Sequence, residues 1–94
     1  MNSIIFKRHE NALFSDVGGD IVALQVDRGF CYGMENVSAD VWKCLAMPMD
    51  LDQLCAVLIK LYDVDPKICR SEVSRLLSYM IAEVLIEAIE TSRN

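Results

Sequence analysis

One histidine, His9, and no Cys-x-x-Cys pair leave this 94-residue sequence without the usual donor spacing of a zinc centre. His9 also has no nucleophile beside it in sequence, so neither a Ser–His nor a Cys–His arrangement is legible. Basic residues are few. Nine Lys and Arg face fourteen Asp and Glu, for a formal net charge of −5. Such a chain repels bare nucleic acid unless its cations cluster on one face. Of the four glycines, Gly18-Gly19 precedes a strand rather than a helix, which is the wrong context for a phosphate loop. Asp63-x-Asp65 lacks the glycine and distal glutamate of a calcium loop. No apolar run approaches the ~20 residues that span a bilayer. The opening MNSIIFKRHENALF breaks into charges after three apolar residues, unlike a secretory signal. The reading is a cytoplasmic protein with no catalytic residue, no metal and no cofactor, not an enzyme. Its four thiols, Cys31, Cys44, Cys55 and Cys69, lie in apolar segments and are expected to be reduced and buried.

What is present is a 53% apolar chain, enough for one small core over residues 1–94. Ser3–Arg8 and Ala12–Val17 are short and β-tolerant. Gly18-Gly19 then supplies a turn. In Asp20–Val26, Val22, Leu24 and Val26 face one way and Ile21, Ala23 and Gln25 the other. Asp27-Arg28-Gly29 reads as a three-residue hairpin loop. The second strand, Phe30–Met34, places Phe30, Tyr32 and Met34 on one face and Cys31 and Gly33 on the other. It is short, uncharged and carries a glycine, the properties of an edge that another backbone can approach.

From Asn36 the period becomes helical: Val37, Val41, Cys44 and Leu45 recur, with Asn36 or Ser38 as cap and Met47-Pro48 as the stop. Asp50-x-x-Gln53 resembles a capping box ahead of Leu51, Leu54, Cys55, Leu58 and Leu61. Asp65-Pro66 starts a third, long helix with Asp as N-cap and Pro at the first position. Its stripe is Cys69, Val73, Leu76, Leu77, Met80, Ile81, Val84 and Ala88. Leu85, Ile86 and Ile89 fall off that stripe, so the helix bends near Glu83 or its end packs elsewhere. The fold class is α+β: a three-stranded antiparallel sheet followed by three helices, winged helix-turn-helix-like.

Three functions compete. An enzyme has no constellation to support it. A winged-helix DNA binder has Lys67, Arg70 and Arg75 on its third helix, but Glu72, Glu83, Glu87 and Glu90 share that segment. Peptide capture by strand addition uses the edge Phe30–Met34 and a groove against the third helix. The expected contact set is Phe30, Cys31, Tyr32, Gly33, Met34, Cys69, Val73, Leu76, Leu77 and Met80. The bland reading of the same residues is core, and it is strongest for Phe30, Tyr32, Met34, Leu77, Ile81 and Val84.

The order VALQVD-R-G-FCYGM-E-N-VSADVW resembles the PqqD-like peptide-recognition proteins, and LDQLCAVLIKLYDVDPKICRSEVSRLLSYM is similar to their second and third helices. The resemblance runs from about Leu13 to Leu85. It implies a recognition element for the leader of a ribosomally made, post-translationally modified peptide. In that family the leader adds as a further strand and packs on the third helix. Carried onto this chain, those elements are Phe30–Met34 and roughly Cys69–Met80. The stand-alone look of the chain implies a lasso-peptide pathway. The partners would then be a precursor leader, a transglutaminase-like cysteine peptidase and a cyclase, with no nucleic acid and no membrane. Pyrroloquinoline quinone biosynthesis is the nearest alternative pathway.

Overall fold

A computed structural model describes residues 2–92. Along them run β1 (Asn2–Arg8), β2 (Ala12–Val17), β3 (Asp20–Gln25), β4 (Phe30–Met34), α1 (Val37–Cys44), α2 (Leu51–Tyr62), α3 (Pro66–Ala82) and β5 (Ile86–Ser92). Strands β2, β3 and β4 form the expected antiparallel sheet in that order. A second, two-stranded sheet pairs β1 with β5, and Phe6 of β1 also bridges Met49 ahead of α2.

The pleat sends Ile21, Ala23 and Gln25 into the core, with Met34 beside them. Against this face pack Val41 and Trp42 of α1, Leu54 and Leu58 of α2, and Val73, Leu77 and Met80 of α3. The other face is left to solvent. Leu13, Leu24 and Cys31 stand in register across it, as do Ser15, Val22 and Gly33. The more hydrophobic set of β3 thus faces outward, and the core takes a glutamine instead. Gln25 is satisfied there: its Nε2 donates to the Val84 carbonyl at 3.1 Å and its Oε1 accepts from the Arg28 N–H at 3.1 Å. The hairpin loop is one residue longer than expected, because pairing stops at Gln25↔Phe30 and the Gly29 N–H bonds the Gln25 carbonyl.

The helix starts follow their caps. Asp50 and Gln53 form a reciprocal capping box, and the Asp65 carboxylate accepts from the N–H groups of Lys67 and Ile68 ahead of Pro66. For α1, Asn36 occupies the cap position at φ 54° without a side-chain cap bond, and the Ser38 hydroxyl donates to the Glu35 carbonyl. Neither residue supplies the expected cap.

The third helix is shorter than its stripe. It ends at Ala82, Glu83 closes it, and Val84 turns left-handed at φ 59°. The Leu85 N–H then bonds the Met80 carbonyl and the Val84 N–H bonds the Ile81 carbonyl, the paired bonds of a Schellman motif. Val84 and Ala88 therefore do not extend the α3 stripe. Leu85 and Ile86 are buried, and β5 begins at Ile86. The chain packs elsewhere, as their off-stripe positions imply.

Candidate functional site

β4 is an edge strand, and the space beside it is hollow. A cavity of about 330 Å³ lies between that edge and α3, lined by Cys31, Tyr32, Gly33 and Met34 on one side and by Leu76, Tyr79 and Met80 on the other. Ser38 and Leu85 complete its lining. An ideal Cβ built on Gly33 would meet nothing within 4 Å, so the glycine stands in open space. β2 is the sheet's other edge but borders none of this hollow.

A second hollow of about 170 Å³ follows further along α3, beyond the end of β4. Cys69 and Val73 line it, with Val37, Leu58, Tyr62, Val64, Ile68 and Glu72. Six of the ten residues expected from sequence, Cys31, Tyr32, Gly33, Met34, Leu76 and Met80, thus meet at the first hollow. Cys69 and Val73 fall at the second. Two stand apart from both. Leu77 is core, and Phe30 lies at the start of β4, exposed and under the Arg28 guanidinium at 5.2 Å. Of the residues read as core, Met34 and Leu77 are buried, Tyr32 and Val84 are half-buried, and Phe30 and Ile81 are exposed. Nor are all four thiols buried: Cys55 and Cys69 are, Cys44 is half-buried, and Cys31 is exposed on the outer face.

Sequence reasoning missed Ser38, Tyr79 and Leu85. Tyr79 lies off the apolar stripe of α3, and Leu85 lies beyond the end of that helix at Ala82. The signal for Leu85 was its position off the stripe.

Polar groups gather where β4 meets the end of α3. The Tyr32 hydroxyl donates to Glu83 Oε1 at 2.9 Å. Burial pushes the Tyr32 phenol up from its ordinary value, and the Glu83 carboxylate adds to that shift by accepting its proton. Arg28 Nη1 lies 3.7 Å from Glu83 Oε2 and donates to the Ala82 carbonyl at 3.3 Å. His9 sits in the β1–β2 turn, where its backbone N–H donates to the Leu85 carbonyl at 2.9 Å and its Nδ1 accepts from the Asn11 N–H. Among the described residues no group of three His, Cys, Asp or Glu side chains could hold a metal ion.

The sequence profile of the family described as Coenzyme PQQ synthesis protein D (PqqD) matches residues 20–86. That span holds β3, β4 and all three helices, the walls of both hollows. The chain belongs to the PqqD family. Two solved structures share the fold of this PqqD-family chain. One is TbiB1 in complex with the TbiA(beta) leader peptide, at a TM-score of 0.82 and 17% identity over 86% of this chain and 94% of that one. The other is lasso peptide synthetase B1 complexed with the leader peptide, at 0.75 and 12% identity over 87% and 96%. No curated protein matches by sequence. At these identities the likeness is one of fold, and it reaches beyond the PqqD match into the flanking strands.

Proposed function

We propose that this PqqD-family protein is a non-catalytic adaptor that captures the leader of a ribosomally made precursor peptide by strand addition to β4. The observation that carries the reading is the free edge Phe30–Met34 standing beside an open cavity against α3. An added strand would pair its main chain with β4 and send alternate side chains inward toward Leu76 and Met80. Both solved neighbours hold leader peptides, which supports the same assignment.

The pathway we favour is lasso-peptide maturation, since one neighbour is a lasso peptide synthetase protein. The family's description favours pyrroloquinoline quinone synthesis as the second reading. In either case the adaptor raises the local concentration of the precursor at its enzyme. The surface that would meet a leader peptidase is the outer sheet face. Leu13, Val22 and Leu24 are 58%, 46% and 36% exposed there, a contiguous apolar patch adjoining the peptide edge.

A proline scan through a lasso-type leader peptide tests strand addition, with affinity read by fluorescence anisotropy. Proline should weaken binding wherever it removes a ladder N–H and be tolerated at intervening positions. Uniform tolerance would contradict the proposal. A leader of the quinone-pathway type binding more tightly would transfer the assignment to that pathway.

A further inference from the structure

Tyr32 lines the cavity, yet its hydroxyl is held from outside it. Glu83, which does not line the hollow, accepts that hydroxyl at 2.9 Å from the C-terminal cap of α3. Arg28 of the β3–β4 loop reaches the same carboxylate and the Ala82 carbonyl. Gln25, fully buried, joins the Arg28 N–H to the Val84 carbonyl. One end of β4 is therefore tied to residues 82–84 by charged and neutral hydrogen bonds. The other end is held by buried Met34, just ahead of α1. Between these anchors the strand stands off α3, and the gap is the cavity.

We propose that Glu83 is a positioning residue that sets the width of the peptide groove through Tyr32 and so selects the size of the peptide side chain accepted beside it. The proposal rests on the peptide-edge reading above. The physical argument concerns the ring. A tyrosine in a half-open site can occupy other staggered rotamers, and a hydrogen bond from its hydroxyl to a carboxylate removes that freedom. With the ring held, the hollow must take the backbone of an added strand together with its inward side chains. A hollow of about 330 Å³ that must also take the peptide backbone leaves room beside Tyr32 for an aliphatic side chain such as leucine rather than for an indole. If the hydroxyl is released, the ring can swing aside and an indole can enter.

The test uses the full chain and peptides selected on it from a displayed library of random 16-residue sequences. In one selected peptide, the position whose protons show contacts to the Tyr32 ring by NMR is made Ala, Leu, Phe or Trp. Affinities are read by anisotropy for the wild type, E83Q, E83A and Y32F. The wild type should prefer Leu over Trp by tenfold or more. E83Q keeps an acceptor for the hydroxyl and should preserve the Leu/Trp ratio within about threefold. E83A and Y32F should compress that ratio to below threefold. A merely structural loss weakens all four peptides equally and leaves the ratio unchanged, and that result overturns the proposal. A wild-type preference for Trp overturns it too. If E83A fails to fold, Y32F decides alone, since it removes one hydroxyl and keeps Glu83 beside Arg28. If no selected peptide contacts β4, the peptide-edge reading itself fails, and this inference fails with it.

Discussion

Gln25 is an amide in a fully buried position, and both ends of that amide are used. Removing the amide leaves the Arg28 N–H and the Val84 carbonyl without the partner that Gln25 supplies and opens a gap at a fully buried position. Gln25→Ala should lower stability by about 1–3 kcal/mol in urea unfolding. The thiol of Cys55 gives a second test, through pH. Burial, with Cys69 as its neighbour, pushes this thiol up to about 11 from an ordinary value of 9.0. The folded state then keeps its proton where the unfolded chain has lost it. That contribution to stability is complete below about pH 9 and disappears as pH rises through about 11. Thermal melts from pH 8 to 11 should show a downward limb that Cys55→Ala makes shallower. At this scale the sequence was partly legible. Cys31, Tyr32, Gly33, Met34, Leu76 and Met80 were assignable to one surface because a short, uncharged edge strand and a helix's apolar stripe each point to it. Glu83 was not, because its partner Tyr32 lies 51 positions away and no local pattern links a helix-end carboxylate to a strand hydroxyl.

Of the elements, α3 shows how a local signal can mislead. The stop after Ala82 is a Schellman turn, and its left-handed position normally belongs to glycine. Here Val84 occupies it, a β-branched residue in a region that costs an L-residue about 1–2 kcal/mol. No residue type announced the end, so the apolar stripe read straight through and the strand Ile86–Ser92 went unrecognised. Burial of Leu85 and Ile86, together with pairing of β5 on β1, supplies what the turn lacks. Val84→Gly should accordingly cost little, staying within about 1 kcal/mol of the wild type in urea unfolding, because relief of the backbone offsets the lost half-buried side chain. Val73→Ala, which opens a cavity in the core, should cost about 2 kcal/mol in the same experiment, somewhat less than a larger buried residue would. The other helix starts were readable because Asp50, Gln53, Asp65 and Pro66 carry cap chemistry that acts within three residues.

At the scale of the whole molecule, the proposed function would divide the surface between two tasks. The edge of β4 and the groove beside α3 would hold the peptide, and the outer face of the same sheet would meet the enzyme that processes it. A peptide added to β4 extends the rows Leu13–Leu24–Cys31 and Ser15–Val22–Gly33 by one strand, so partner docking would sense the loaded state. Replacing Val22 and Leu24 together by Asp should leave the fold and leader affinity within threefold. It should also abolish acceleration of leader cleavage by the cognate peptidase in a reconstituted assay. Leu76→Glu should do the reverse, weakening leader binding tenfold or more with circular dichroism unchanged. The α+β class and the β2–β3–β4 sheet were legible from alternation and turns. The β1–β5 sheet was not, because its strands lie more than 75 residues apart and pair through contacts no local window contains.

The central claim is that a peptide adds to β4 as a strand. Amide hydrogen exchange at Phe30–Met34, with and without a saturating leader peptide, tests it most directly. Strand addition predicts that alternate amides of this segment, those facing the free edge, slow by tenfold or more on binding. Tight binding that leaves exchange across Phe30–Met34 unchanged would contradict the account.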